Sequence, residues 1–431
     1  LIKYEAAYSI QSPKGNKVAY VSGNNLFIYD LDDHNTIAVT NDGKFNHIIN
    51  GGLDWVYEEE FGFAKGFFWS PEGDFIAYYK FDESKVAEFS MDVYGTRLYP
   101  TQDVFKYPKA GENNSEVEVW IYQLTRKKNI QVLANAEYEY IPRIKWTKQN
   151  ESICVYSMNR LQNHLILNKV NAESGESTVW YEEKDAAYVE ISDDIRFLDN
   201  GGFIWTSDMS GFNHIYQIDA IGKVKRQITK GEWDVTSFYG IDEDADKLYY
   251  QSAEAHPTER NVYSISTKGK GKKNLTPKKG TTSAAFSKSF DYFFSTYSSV
   301  DIPTQVDLRN ASGTVVREIE KNQRVVDALS EYGVQTKEFI SFTTQSDVEL
   351  NAWMIKPGDF DETKKYPLFM FVYGGPGSQM VNHSYDGFNG MWFQMLAQKG
   401  YIVVAVDNRG TGARGRDFKK VTYNDLGKYE V

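Results

Sequence analysis

The sequence predicts a mainly β chain: a β-propeller followed by the beginning of an α/β domain. Three observations carry this. A unit of turn and aromatic strand recurs six times in the first three quarters of the chain. Aromatic residues reach 15%, with 30 Tyr and 26 Phe among 431 residues, and both favour strands. Beyond about residue 335 the short strands give way to strand, helix and strand, the signature of a parallel crossover.

In chain order, Ser12-Pro13-Lys14-Gly15-Asn16 leads into Val18-Ala19-Tyr20-Val21, and Trp69-Ser70-Pro71-Glu72-Gly73-Asp74 into Phe75-Ile76-Ala77-Tyr78-Tyr79. Trp146-Thr147-Lys148-Gln149-Asn150 leads into Ile153-Cys154-Val155-Tyr156, and Leu198-Asp199-Asn200-Gly201 into Phe203-Ile204-Trp205. Asp242-Glu243-Asp244-Ala245-Asp246 precedes Leu248-Tyr249-Tyr250, and Phe286-Ser287-Lys288-Ser289 precedes Tyr292-Phe293-Phe294. A second strand follows most of these, as at Asn25–Asp30, Val117–Tyr122, His214–Ile218 and Asn261–Ile265. A third often comes next, as at Thr36–Thr40 and Val224–Thr229. Repeats of roughly 45 to 75 residues, each with several antiparallel strands, fit propeller blades better than a sandwich of irregular hairpins. Insertions are expected around Ile48–Gly66 and Asp82–Asn114.

In the last hundred residues, Lys364-Lys365-Tyr366-Pro367 leads into Leu368-Phe369-Met370-Phe371-Val372, an apolar run typical of a strand buried on both faces. A glycine-rich loop follows, Tyr373-Gly374-Gly375-Pro376-Gly377-Ser378. A helix is expected over Met391–Lys399, closed by Gly400, and then a second apolar strand over Tyr401–Val406. Glu338–Ile355 reads as one or two antiparallel strands leading in. The division is placed near residue 325, with a propeller over 1–325 and the α/β part over 326–431.

The charge balance is 48 basic against 59 acidic residues, −11 in all. Nucleic acid and anionic membrane are therefore not expected as main partners. Mean hydropathy is −0.53, and no run approaches the ~18 apolar residues of a membrane span. Cys154 is the single cysteine, so neither an intrachain disulfide nor a cysteine-rich zinc site is expected. The six histidines form no H-x-x-x-H or H-E-x-x-H pair, so no metal and no cofactor are expected. The chain begins at Leu1, and no charged segment followed by an apolar stretch reads as a signal peptide.

Four places could carry chemistry. Asp54-Trp55-Val56-Tyr57-Glu58-Glu59-Glu60-Phe61 sets three consecutive carboxylates between aromatics. A bare run of this kind is ordinarily a solvated turn. Two adjacent carboxylates can nevertheless share the three hydrogens of an ammonium group, and the aromatic flanks favour that use. Tyr373-Gly374-Gly375-Pro376 follows a strand of an α/β sheet, where an oxyanion donor can sit. A tight turn needing glycine for close backbone approach explains it equally well. In Asp407-Asn408-Arg409-Gly410-Thr411-Gly412 no phosphate-loop pattern is present, and a structural Asp407–Arg409 ion pair is expected. His214 reads as a strand-entry residue. No serine lies in a G-x-S-x-G elbow.

Together these segments resemble the dipeptidyl peptidase IV family of serine peptidases, within the prolyl oligopeptidase superfamily, along essentially the whole chain. Asp54–Glu60 matches the family's D-W-V-Y-E-E-E segment, and Tyr107-Pro108-Lys109-Ala110-Gly111 its Y-P-K-A-G. Lys364-Lys365-Tyr366-Pro367 with Val372-Tyr373-Gly374-Gly375-Pro376, and Asp407-Asn408-Arg409-Gly410, match its K-K-Y-P…V-Y-x-G-P and D-x-R-G stretches. The resemblance implies an eight-bladed propeller capping an α/β-hydrolase, of which the propeller here would be incomplete. It implies peptide substrates with a free N-terminus and release of dipeptides with Pro or Ala second. Glu59 and Glu60 would hold the substrate ammonium, with Glu58 the outward neighbour. Tyr373 would donate its hydroxyl to the oxyanion. Phe212, in Gly211-Phe212-Asn213-His214-Ile215, would line the substrate side-chain region. A homodimer, located in the periplasm or at the cell surface, is also implied.

The family's catalytic Ser, Asp and His, its first blades and a substrate-contacting Arg match nothing within these residues. An interior portion of a longer protein is thus expected, inactive by itself on a Gly-Pro chromogenic substrate. Two other readings stay open: a non-catalytic relative whose propeller binds proteins, and a tripeptidyl or acylaminoacyl peptidase. The latter would lack a reason for Glu59-Glu60.

Overall fold

The computed structural model describes residues 6–134 and 138–431. The chain divides into two compact units, Leu1–Ile191 and Ser192–Val431.

Among the described residues the first unit holds three blade-like antiparallel sheets and a separate two-stranded hairpin. The first sheet is a meander of Ala7–Gln11, Lys17–Ser22, Asn25–Asp30 and Thr36–Ala38. In the second, Phe75–Asp82 and Glu116–Gln123 pair along eight residues, flanked by Lys128–Gln131, Ile48–Asn50 and Phe67–Trp69. Both expected insertions interrupt this sheet. One contains the helix α1 (Trp55–Glu59), the other a hairpin of Glu88–Val93 and Thr101–Lys106. The third sheet is Ile144–Trp146, Ser152–Met158, His164–Asn171 and Ser177–Lys184.

The second unit holds three more blade-like sheets. The fourth is Arg196–Phe197, Phe203–Ser207, His214–Ile218 and Val224–Gln227; the fifth is Val235–Asp242, Lys247–Ser252, Asn261–Ile265 and Lys273–Asn274. The sixth is Thr281–Phe286, Tyr292–Ser299, Ile302–Asn310 and Val315–Glu320. Five of the six repeats thus fall at the turn between the first and second strands of a blade, and the remaining one, Trp69–Asp74, joins Phe67–Trp69 to Phe75–Asp82 in the sheet that also carries Ile48–Asn50.

A hydroxyl explains the repeated Ser or Thr there. In the first blade the Ser12 N–H donates to the Lys17 carbonyl (2.8 Å) and Ser12 Oγ accepts from the Lys17 N–H (3.2 Å). Ser70 with Phe75, and Ser287 with Tyr292, repeat the pair, closing the turn with both groups of one residue. The aromatic strands that follow bury between neighbouring sheets. Ala19, Leu26 and Ile28 pack with Phe67, Ile76 and Tyr78 in the first unit. Ile204, Ile215 and Leu248 pack with Tyr250 and Tyr263 in the second.

After the short helix α2 (Gln323–Glu331) comes a four-stranded sheet in the order Glu338–Thr343, Glu349–Ile355, Ile402–Val406, Leu368–Phe371. The last two are parallel, joined through α3 (Gly387–Gln398), which makes the expected crossover. Gly400, at φ +89°, follows the helix end. One expectation fails here. Leu368–Phe371 is not buried on both faces: Leu368 and Met370 are 58% and 55% exposed. Among the described residues it is the outer strand of this sheet, and α3 covers one face, through Phe369 on Trp392 (5.1 Å) and Phe371 on Phe393 (5.3 Å). A final short helix, α4, spans Arg416–Lys420.

Candidate functional site

The carboxylate run sits on α1, and Asp54 decides how it is presented. Asp54 is the N-cap, extended at φ −86° and ψ 174°. One carboxylate oxygen accepts from the Tyr57 N–H (3.0 Å), the other from Ser115 Oγ (2.7 Å). Val56 and Tyr57 turn inward, and the Tyr57 ring meets Phe61 and Phe81 edge-on, each at 4.8 Å. Its hydroxyl accepts from the Ile141 N–H at 2.8 Å. With that face anchored, helical geometry carries Glu58, Glu59 and Glu60 round to the exposed side.

Glu58 lies 3.5 Å from the Tyr8 hydroxyl. Partial burial raises its carboxyl pKa, opposed by that hydroxyl and reinforced by the charges of Asp54 and Glu59. Glu59 and Glu60 have no hydrogen-bond or ion-pair partner among the described residues. Glu60 borders a cavity of about 570 Å³, walled by Trp55, Phe61, Tyr107, Tyr140 and Arg160. Trp55 and Tyr107 meet edge-to-face at 4.4 Å. Arg160 is held by Glu139 (2.7 Å) and by the Glu112 carbonyl (2.8 Å). The arrangement offers two uncommitted carboxylates beside an aromatic wall, suited to a cation attached to an apolar group.

Tyr373 and Phe212 belong to the second unit. Tyr373 follows the edge strand, is 72% exposed, and its hydroxyl has no partner among the described residues. Gly374, at φ +74°, could carry no side chain: a Cβ would lie 2.8 Å from Asn408 Oδ1. Asn408 Nδ2 donates to the Gly374 carbonyl at 3.2 Å, which ties the turn to the neighbouring loop. The close approach and an available phenol therefore coexist at this turn.

Phe212 is half-buried against the residues before α4. A Cβ on Gly415 would lie 2.8 Å from the Phe212 ring. Asp234 bridges the two segments, accepting from the Asn213 N–H (2.7 Å) and the Gly415 N–H (2.9 Å). Lys420 and Asp208, both buried, pair at 2.9 Å alongside. His214 opens the strand His214–Ile218, as expected, with its ring between Thr229 Oγ1 (3.1 Å) and the Gly231 carbonyl (2.9 Å).

The expected Asp407–Arg409 ion pair is absent. Asp407 instead accepts from the backbone N–H groups of Met380 (2.7 Å) and Val381 (3.1 Å). Arg409 lies over the Tyr429 ring at 4.4 Å. The chain turns at Arg409-Gly410, and each side chain is committed elsewhere, Asp407 to backbone N–H groups and Arg409 to an aromatic ring. Burial raises the Asp407 carboxyl pKa, countered by the two N–H groups and then by Arg414 and Arg260.

Arg260 was not indicated by any sequence pattern. Its guanidinium donates to the Pro257 (2.8 Å) and Glu259 (2.7 Å) carbonyls and to Gln379, so it fixes the segment just past the Tyr373 turn. Tyr107 lay in a matched motif without an assigned role, and Arg160 carried no signal at all. Among the described residues, no three His, Cys, Asp or Glu side chains stand together to hold a metal ion. None of the helices is long and apolar enough to cross a membrane.

Comparison with known proteins identifies the family of the chain. Residues 3–304 match the family model described as the dipeptidyl peptidase IV N-terminal region, and residues 387–431 match that of the prolyl oligopeptidase family. Dipeptidyl aminopeptidase B of Saccharomyces cerevisiae is 31% identical over 99% of this chain and 57% of its own length. Prolyl endopeptidase FAP of Bos taurus is 32% identical, over 98% and 59%. The crystal structure of Porphyromonas gingivalis dipeptidyl peptidase 4 aligns with a TM-score of 0.93 at 40% identity, covering 98% of this chain and 60% of that one. The chain thus spans somewhat under two thirds of the relatives it matches. With a specific family model covering most of its residues, the chain belongs to the dipeptidyl peptidase IV family.

Proposed function

We propose that the complete protein is a serine exopeptidase that releases N-terminal X-Pro and X-Ala dipeptides, and that Glu59 and Glu60 trap the free α-ammonium of the substrate. The observation that carries this reading is the pair of neighbouring, unpartnered carboxylates on a helix whose other face is locked. A trap at a fixed distance from the scissile bond sets how many residues leave. Tyr373 donates its free hydroxyl to the oxyanion of the tetrahedral intermediate. Phe212 borders the substrate side chains. The propeller comprises residues 1–325 and the peptidase part begins at 326. By family resemblance the enzyme works as a homodimer, in the periplasm or at the cell surface.

The test uses the full-length protein with Glu59→Gln and Glu60→Gln. Each removes a charge-assisted hydrogen bond, so kcat/KM on Gly-Pro p-nitroanilide should fall by about 10- to 100-fold. An unchanged value removes the ammonium role. One relative is named a prolyl endopeptidase, so the same assay with N-acetylated substrate separates the readings. Efficient cleavage of the blocked substrate, insensitive to both substitutions, favours the endopeptidase.

A further inference from the structure

The second unit carries a concentration of positive charge that the peptidase reading leaves unused. The outer strand of the fourth sheet, Val224–Gln227, continues to Lys230, and the fifth sheet contributes the turn from Thr267 to Lys272. Their backbones touch at Gly269, where φ is +73° and a Cβ would lie 2.9 Å from the Ile228 carbonyl oxygen. Beside this contact lies a cavity of about 470 Å³, whose lining includes Arg226, Lys230, Trp233, Tyr250, Lys268 and Lys272.

No carboxylate lines the cavity. Lys272 pairs with Glu254 and stands 5.5 Å over the Trp233 ring. Arg226 donates to the Thr267 carbonyl at 3.5 Å. Lys230 and Lys268 have no acidic or hydrogen-bond partner among the described residues, and the Trp233 indole N–H has no acceptor. Tyr250, wholly buried, lies parallel to Trp233 with ring centres 6.3 Å apart, and its hydroxyl is also without a partner. Two ammonium groups, Lys230 and Lys268, and the Trp233 indole N–H are thus uncommitted, while Lys272 and Arg226 each already have an acceptor. A chain of net charge −11 has no general attraction for anions, so this local excess is a selective one.

We propose that this cavity binds a small ligand through a phosphate or sulfate group. Trp233 is flanked by Tyr250 and Lys272, so recognition runs through charge and the N–H edge rather than through ring stacking. The cavity exceeds the volume of a single oxyanion and falls within the range for small-molecule sites, which leaves room for a modest organic carrier.

Titration calorimetry on the whole chain tests this, with inorganic phosphate, inorganic sulfate, glucose 6-phosphate and glucose 6-sulfate as probes. We expect saturable one-site binding of at least one probe, weakened by high salt. Preference for the esters identifies a carrier-borne group; equal or tighter binding of the inorganic ions identifies the free anion. The double variant Lys230→Gln/Lys268→Gln should weaken binding about tenfold or more, and Trp233→Phe several-fold. Lys225→Gln/Lys270→Gln removes the same charge just outside the cavity and should leave affinity within about twofold. Absence of saturable binding, or equal loss in both double variants, overturns the proposal.

Discussion

Replacing Asp54 by Ala tests how α1 is held. The substitution removes the acceptor for the Tyr57 N–H (3.0 Å) and for Ser115 Oγ (2.7 Å) at a position only 6% exposed. Loss of an N-cap costs about 0.5–2 kcal/mol, and a buried hydroxyl left without a partner about 1–3 kcal/mol. Together these give roughly 1.5–5 kcal/mol, which lowers the protection of the α1 amides about 10- to 4,000-fold. Hydrogen exchange of the peptide spanning residues 54–61 reads this directly. Asp54→Asn is the control, since its carbonyl still accepts from Tyr57 and its amide can donate to Ser115. It should retain protection within about threefold of the parent. Burial raises the Asp54 carboxyl pKa above its ordinary 3.8. The folded state therefore binds this proton more tightly than the unfolded state. Its contribution to stability falls as pH rises from the ordinary value through the raised one, and is constant above it. The parent α1 should thus gain protection on acidification toward that window, and Asp54→Asn should lack the gain. A change below about threefold for Asp54→Ala would refute the capping argument.

Three further outcomes follow from the second unit. Tyr373→Phe in the full-length enzyme should lower kcat about 10²- to 10³-fold with KM little changed, the pattern of a bond made only in the transition state; steady-state kinetics on a Gly-Pro substrate decide it. Gly415→Ala places a Cβ 2.8 Å from the Phe212 ring at φ +81° and ψ 173°, a region reserved for glycine. It should destabilise by about 1–3 kcal/mol and lower the thermal midpoint. Lys420→Met strands the buried Asp208 carboxylate, an expected loss of about 3–5 kcal/mol, lessened by Lys419 at 3.9 Å; chemical denaturation should show most of it restored in Asp208→Leu/Lys420→Met.

The blades were legible because each element of the repeat has a local cause. In the blades whose turns open on Ser12, Ser70 and Ser287 a serine closes the turn with its own hydroxyl and N–H, and an aromatic-rich strand supplies the buried residues. The crossover was legible for a similar reason: Gly400 ends α3, and two apolar runs bracket it. The reading failed where a side chain's environment is fixed from far along the chain. Leu368-Phe369-Met370-Phe371 reads as doubly buried, yet among the described residues it is the outer strand, a position set by strand order and not by its own sequence. Glu59 and Glu60 were recognisable only because a motif surrounds them. Arg160 and Arg260 take their roles from carbonyls and carboxylates on other turns, which no local pattern announces.

The Asp407–Lys420 segment shows what such long-range contacts achieve. Taken alone, Asp407-Asn408-Arg409-Gly410 suggested an ion pair, but Asp407 is taken by the Met380 and Val381 N–H groups and Arg409 by the Tyr429 ring. Its residues instead hold two separate features. Asn408 bonds to Gly374 beside Tyr373, the Gly377 N–H donates to the Gly410 carbonyl (2.9 Å), and the Gly412 N–H donates to the Ser378 carbonyl (2.9 Å). A few residues on, Gly415 admits Phe212, the Arg416 N–H donates to the Gly211 carbonyl (2.8 Å), and Lys420 neutralises Asp208. The glycines permit the close approaches at either end, and backbone hydrogen bonds, joined by the Asn408 amide and the buried Lys420–Asp208 pair, hold the positions. A loop built this way contacts both the Tyr373 turn and the Phe212 loop. A substitution at Gly415 should then disturb Tyr373-dependent turnover as well as Phe212 packing. Loss of stability in Gly415→Ala with kcat unchanged would show that the two ends of the segment act independently.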